Sequence, residues 1–344
     1  MKFLLIRFSS IGDVILTTPL LRALRAAHPD AVVHFATRRA CAPLLASNPH
    51  VDRVLVLPDP ADGGLRALAR TLRAERYDHV LDLHGTLRAR LLRLLVPRPR
   101  WRGYRKHTLR RWALTQLNRN WFSESSPVPE RYFDAAAGLG VRPDGGPPEV
   151  FPTAEAEAAA AAALRAAGVA DGEPYVALAP GAQHATKRWP EASWSALARR
   201  LGAAGVRSVV VGGPEDMEAG RRIAAAAGAA TVAGQLDLLG SAAVLAGARA
   251  LASGDTGVMH LATAVGTPVV ALFGPTVREF GFFPYGGPAT VLERPLPCRP
   301  CSTHGGPACP LGHHACMRGI EVEAVAAAVA AMGGVPLRPA DPAR

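Results

Sequence analysis

The chain has 344 residues, 49% of them apolar, which is enough for two domains of ordinary size and incompatible with wholesale disorder. Its charge is unbalanced: 39 Lys and Arg against 28 Asp and Glu give +11, and the whole excess lies in residues 1–150, where 24 basic side chains face 13 acidic ones. No run approaches the roughly 18 consecutive apolar residues of a membrane-spanning helix, and five cysteines, four of them in one short window, do not spread as a disulfide framework would.

The opening Met1–Arg7 has a signal-like apolar core of only four residues with no cleavage-like segment behind it. It reads as a first β-strand, Phe3–Arg7, and the protein as cytoplasmic. Further strands are expected at Ala31–Ala36, Val54–Leu57 and His79–Leu83, then at Tyr175–Ala179, Ser208–Val211, Ala250–Ser253, Pro268–Phe273 and Thr290–Leu292. Amphipathic helical stretches at Val14–Ala27, Leu65–Glu75, Glu191–Ala204 and Glu215–Ala227 alternate with them, and Glu155–Ala167 is an Ala-rich helix. Such alternation predicts parallel sheets covered by helices on both faces. Val141–Pro152, with four prolines and two glycines, reads as a linker. The expectation is α/β: a first domain over 1–150, a second over 151–320, and a closing helix and tail over 321–344, with a cleft between the two domains.

Five constellations carry chemistry. Ser9-Ser10-Ile11-Gly12-Asp13 joins the first strand to a helix, at the sheet edge where open α/β folds bind ligands. Asp13 is there either a helix cap or a carboxylate ready to act as a base. No Gly-Lys-Ser/Thr follows, so this is not a P-loop. After Tyr175–Ala179 comes Pro180-Gly181-Ala182-Gln183-His184-Ala185-Thr186-Lys187-Arg188-Trp189-Pro190, a loop whose Lys187 could meet a phosphate as a point charge. Ser253-Gly254-Asp255-Thr256-Gly257 ends a strand and opens a helix with free N–H groups suited to a diphosphate, and His260 follows about one turn in. Phe273-Gly274-Pro275-Thr276 turns at the same edge. Cys298, Cys301, Cys309 and Cys316 have the spacing of a structural zinc site; a disulfide or a reduced, metal-free cluster are the other readings. The tract from Arg88 to Arg111, which includes Arg102, Arg105 and Lys106 with Trp101 and Tyr104 interleaved, suits phosphates and carboxylates. Nucleic acid, an anionic membrane or plain solvent would satisfy it too.

Taken in order, Ser10-x-Gly12-Asp13, Lys187-x-Trp189-Pro190 and Asp255-Thr256-Gly257-x-x-His260 make the chain resemble glycosyltransferase family 9, the lipopolysaccharide heptosyltransferases. The resemblance runs from Ile6 to the closing helix near Glu321 and takes in Cys309-Pro310-Leu311-Gly312-His313. It implies a GT-B fold, two Rossmann-like doubly wound domains facing an interdomain cleft, with the acceptor on the first and the nucleotide sugar on the second. It further implies an inverting, metal-independent enzyme that moves heptose from ADP-heptose to the lipopolysaccharide inner core. Asp13 would be the general base and Lys187 would stabilise the departing diphosphate. Ser10, Gly12, Ala182, Gln183, Glu215 (or Asp216), Asp255, Thr256, Gly257 and His260 would hold the donor. Arg88, Arg102, Arg105 and Lys106 would meet an anionic, lipid-linked saccharide. No catalytic cofactor and no nucleic-acid partner are expected, and the protein would touch the inner membrane peripherally from the cytoplasmic side. Another nucleotide sugar or acceptor, and a non-catalytic nucleotide-sugar-binding protein, are the alternatives.

Overall fold

The computed structural model describes residues 1–335 and 337; of the expected tail, 336 and 338–344 lie outside the described residues. Two compact units are present, one made of Met1–Thr108 with Ser126–Phe151, the other of Leu109–Ser125 with Pro152 onwards. Val141–Pro152 holds no regular element. Among the described residues, no helix is long and apolar enough to cross a membrane.

The first unit is a five-stranded parallel sheet of β1 (Lys2–Ile6), β2 (Val32–Thr37), β3 (Arg53–Val56), β4 (His79–Asp82) and β5 (Arg100–Gly103), in the order β3-β2-β1-β4-β5. β1 is central, paired with β2 on one side (Leu4 opposite His34) and β4 on the other (Leu4 opposite Val80). Its Phe3-Leu4-Leu5-Ile6 run is wholly buried, as a strand covered on both faces requires. The expected helix Val14–Ala27 is instead two, Ile11–Ile15 and Thr18–Ala27. Pro19 brings no N–H to the first turn of the second, and the Thr17 and Thr18 hydroxyls donate back to the carbonyls of Val14 and Ile15 at 2.7 and 2.8 Å.

The second unit is a six-stranded parallel sheet of β6 (Tyr175–Ala179), β7 (Arg207–Val210), β8 (Ala230–Thr231), β9 (Leu251–Gly254), β10 (Val269–Phe273) and β11 (Ala289–Glu293), in the order β11-β10-β9-β6-β7-β8. Its core gathers Val176, Leu178, Trp189, Trp194, Leu197, Ile223 and Leu272, with Val325 and Val329 from the closing helix Val322–Gly333. Leu109–Ser125 belongs here: Arg111 donates to the Phe280 carbonyl at 3.1 Å and lies over the Phe282 ring, Asn120 donates to Glu279 at 3.0 Å, and Ser125 donates to the Arg278 carbonyl at 3.0 Å. The basic tract, continuous in sequence, is therefore divided between the two units.

Both strand orders reverse direction once, between β1 and β4 in the first sheet and between β6 and β9 in the second. The carboxyl ends of these strand pairs are where an open parallel sheet leaves room for a ligand.

Candidate active site

At the first switch point, β1 leads into Arg7, and Ser10 precedes the helix that carries Asp13. Arg7 Nη2 lies 2.6 Å from Asp13 Oδ1, with both side chains largely buried. The Tyr132 hydroxyl donates to the same oxygen at 3.4 Å. Oδ2 accepts from the Ser10 hydroxyl at 2.8 Å and from the Ser10 N–H at 3.2 Å, so Asp13 caps its helix as well as facing Arg7. Burial would raise the Asp13 pKa, but the Arg7 charge and the bonds from Ser10 and Arg7 outweigh it and hold the carboxyl below its ordinary value. Gly12 is buried within the same turn.

Arg7 is held in turn by the Leu83 carbonyl at 2.7 Å and the Tyr104 hydroxyl at 3.3 Å. Beyond β4, Asp82 accepts the His84 and Gly85 amides at 2.9 and 2.7 Å and fixes the turn. Burial, followed by the charges of Arg7 and Lys106, pushes His84 down to about 4, so the ring is neutral at physiological pH. Lys106 lays the end of its side chain over Gly85, whose φ of +55° suits glycine. Of the expected acceptor residues, Lys106 thus joins the Asp13 surroundings. Arg102 is tied to the Ala137 carbonyl, the Arg105 amide donates to Asp134 at 3.3 Å, and Arg88 stands exposed on the helix Leu87–Leu95.

At the second switch point, β6 runs into the Pro180–Pro190 loop and β9 into Asp255. Lys187 Nζ lies 2.6 Å from Asp255 Oδ2, and the Thr276 hydroxyl, beyond β10, donates to the same oxygen at 2.8 Å. Thr256 is the extended N-cap of the helix Gly257–Ala264, its hydroxyl 3.2 Å from that of buried Ser253, and His260 is buried one turn inside. A cation and a row of free helix N–H groups therefore share one end of this sheet.

Ala182 accepts a bond from Arg188 at 2.8 Å, Gln183 is exposed, and Trp189 is a core residue that donates to the Ile320 carbonyl at 3.1 Å. Of the two acids after β7, it is Asp216 that turns its carboxylate onto Gly181, a position where any β-carbon would collide with it; Glu215 is exposed over Gly213. Asp216 accepts the Gly213 amide at 3.0 Å, and burial, reinforced by the neighbouring Glu215 charge, raises its pKa.

The four clustered cysteines are free thiols, not disulfides. Burial, and after it the neighbouring thiols Cys309 and Cys298, raises the Cys301 pKa, and burial with Cys301 and Cys309 nearby raises that of Cys316, so the four thiols share one neighbourhood, although no group of three or more His, Cys, Asp or Glu among the described residues is placed to hold a metal ion. The segment also clamps the Lys187 loop. The Gly306 amide donates to the Thr186 hydroxyl at 2.8 Å, Thr186 N–H donates to the Gly306 carbonyl at 3.2 Å, and His314 Nε2 bonds the Thr186 carbonyl at 2.8 Å.

Sequence reasoning missed Arg7, Tyr132, His84 and the Thr186 clamp. Only Arg7 carried a signal, as a cation at the end of a wholly apolar strand, where a charge needs a partner.

The pattern described as Glycosyltransferase family 9 (heptosyltransferase) matches residues 65–309. The chain belongs to glycosyltransferase family 9. It is 30% identical over 297 residues to lipopolysaccharide heptosyltransferase 2 of Escherichia coli K12, spanning 81% of this chain and 84% of that protein. It is also 30% identical over 319 residues to lipopolysaccharide heptosyltransferase 1 of Pseudomonas aeruginosa PAO1, spanning 88% and 86%. Among solved structures, the E. coli ADP-heptose lipopolysaccharide heptosyltransferase II superposes with a TM-score of 0.74 at 26% identity over 97% of this chain and 98% of that one. An E. coli heptosyltransferase solved with ADP-2-deoxy-2-fluoro heptose gives 0.68 at 25% identity over 94% and 98%. The two parallel α/β sheets are those of the GT-B fold, and the protein is a glycosyltransferase of this family.

Proposed function

We propose that this family 9 enzyme transfers heptose, with inversion, from ADP-heptose to the inner core of lipopolysaccharide. The observation that carries the reading is the pair of switch points. An ionised carboxylate stands at one and a cation beside helix N–H groups stands at the other. Glycosyl transfer needs both, because one oxygen must lose a proton while another acquires charge.

In this reading the acceptor hydroxyl attacks the anomeric carbon as the bond from that carbon to the diphosphate oxygen breaks, and ADP leaves. Asp13 takes the hydroxyl proton. A carboxylate has about four lone-pair sites, and Arg7, Tyr132 and the two Ser10 groups occupy them. The exposed Ser10 hydroxyl is the donor that rotates away to admit the acceptor. Lys187 leaves Asp255 for the diphosphate, while Thr256, Gly257 and His260 hold the donor at the helix end and Asp216, with Glu215 beside it, meets the nucleoside. Positive potential from Lys187 and the helix serves the leaving group without a cofactor. The cations around His84 suit an anionic, lipid-linked acceptor reached from the cytoplasmic face of the inner membrane.

A panel of nucleotide sugars offered with heptose-deficient lipopolysaccharide tests this through released nucleoside diphosphate. ADP release from ADP-heptose, dependent on acceptor, is expected. Turnover only with a different nucleotide sugar would overturn the donor assignment.

A further inference from the structure

The helix Leu87–Leu95 is apolar on two opposite sides. Ala89, Leu92 and the following Val96 are buried, with the side of the helix they mark turned toward the helix Gly64–Glu75. On the other side Leu87, Leu91 and Leu94, spaced i, i+4, i+7, form one stripe that is 71%, 45% and 76% exposed. Single exposed leucines are ordinary, but an aligned stripe is a contact surface. Arg88, Arg90, Arg93 and Arg98 are all exposed around it. Within the same unit, the stretch from Leu83 to Thr108 holds eight Lys and Arg and not one Asp or Glu.

We propose that this helix docks the protein on an anionic phospholipid bilayer, with the leucine stripe in the acyl boundary and the arginines among the headgroups. The charge decides the occupant. A second copy laid on the stripe would bring like-charged arginines face to face, whereas an anionic headgroup layer neutralises them while the leucines leave water. A polypeptide partner would have to supply both an apolar ridge and dense negative charge; the bilayer interface supplies them together. The proposal rests on the reading that the acceptor is lipid-linked, and it names the surface that meets the lipid.

The test is vesicle flotation of the full chain with no nucleotide sugar and no acceptor present. Wild-type protein should float with phosphatidylcholine vesicles containing phosphatidylglycerol, far less with phosphatidylcholine alone, and less as salt rises. The triple variant Leu87→Ser, Leu91→Ser, Leu94→Ser should lose partitioning by at least about a hundredfold. Arg90→Glu with Arg93→Glu should lose at least about tenfold. All five positions are solvent-exposed, and an unchanged circular dichroism spectrum shows the fold intact. The serine variant should still transfer sugar to a soluble, deacylated acceptor. Unchanged flotation of that variant, or equal binding to neutral and anionic vesicles, would overturn the proposal. So would a concentration-dependent dimer that the serine changes abolish. Vesicle binding in a protein that transfers nothing to a lipid-linked acceptor would support docking and strike the acceptor assignment instead.

Discussion

Replacing Arg7 by Met leaves Asp13 buried without its cation. The pair is short, 2.6 Å, and the side chains are only 9% and 16% exposed, so water cannot take over the lost interaction. Breaking a buried pair from one side typically costs about 3–5 kcal/mol. Arg7→Met also removes the donors to the Leu83 carbonyl and Tyr104, which places this site toward the upper end of that range. The pH dependence separates charge from packing. With Arg7 present, the folded-state pKa of Asp13 lies below its unfolded value near 3.9. The pair's stabilisation is therefore present above that value and lost as pH falls through the folded pKa. Without Arg7, burial dominates and the folded pKa rises, so ionised Asp13 opposes folding at neutral pH and the protonated form relieves it. The destabilisation should thus be several kcal/mol at pH 7 and much smaller near pH 4. Hydrogen exchange of the β1 amides reports the first unit alone and measures it. An equal loss at both pH values would show that Arg7 acts through packing, and the electrostatic argument would fail.

Three further outcomes follow from named contacts. Lys187→Ala should lower kcat by about 10²–10³-fold, as for other donors to developing negative charge, and His314→Ala, which loosens the Thr186 clamp, should lower it less; equal effects would mean that the loop needs no support. Gly181→Ala drives a β-carbon into the Asp216 carboxylate and should weaken ADP binding measured by calorimetry, while Gly202→Ala, on the open surface of the helix Glu191–Ala203, should leave it alone. His84 is held near 4 against an ordinary value of about 6.5, so unfolded chains bind the extra proton between those limits and stability should fall as pH drops from about 6.5 to 4. His84→Gln should flatten that part of the unfolding curve, and a curve as steep as wild type would place the acid sensitivity elsewhere.

Strands buried on both faces were legible because their runs are continuously apolar, as in Phe3–Ile6 and Val269–Phe273. β5 was not, because Arg-Trp-Arg-Gly is an edge strand with exposed ends and no apolar run, and two-residue β8 is too short for a pattern. The Val14–Ala27 periodicity survives the break at Thr17, so the wheel pattern alone hides two helices, although Pro19 marks the place. Asp13, Lys187 and Asp255 were singled out on the segments that follow β1, β6 and β9. What spacing cannot show is that Lys187 and Asp255, which follow different strands, meet at 2.6 Å, or that Asp216 rather than Glu215 turns onto the glycine loop. The Cys298–Cys316 window was legible as a cluster, and its thiols do lie within electrostatic reach of one another.

The division of labour between the two switch points is tested most directly by single-turnover transfer with Asp13→Asn, which keeps the shape of the side chain and removes its basicity. Donor affinity should match wild type while transfer from ADP-heptose falls below detection. Transfer at the wild-type rate would contradict the account.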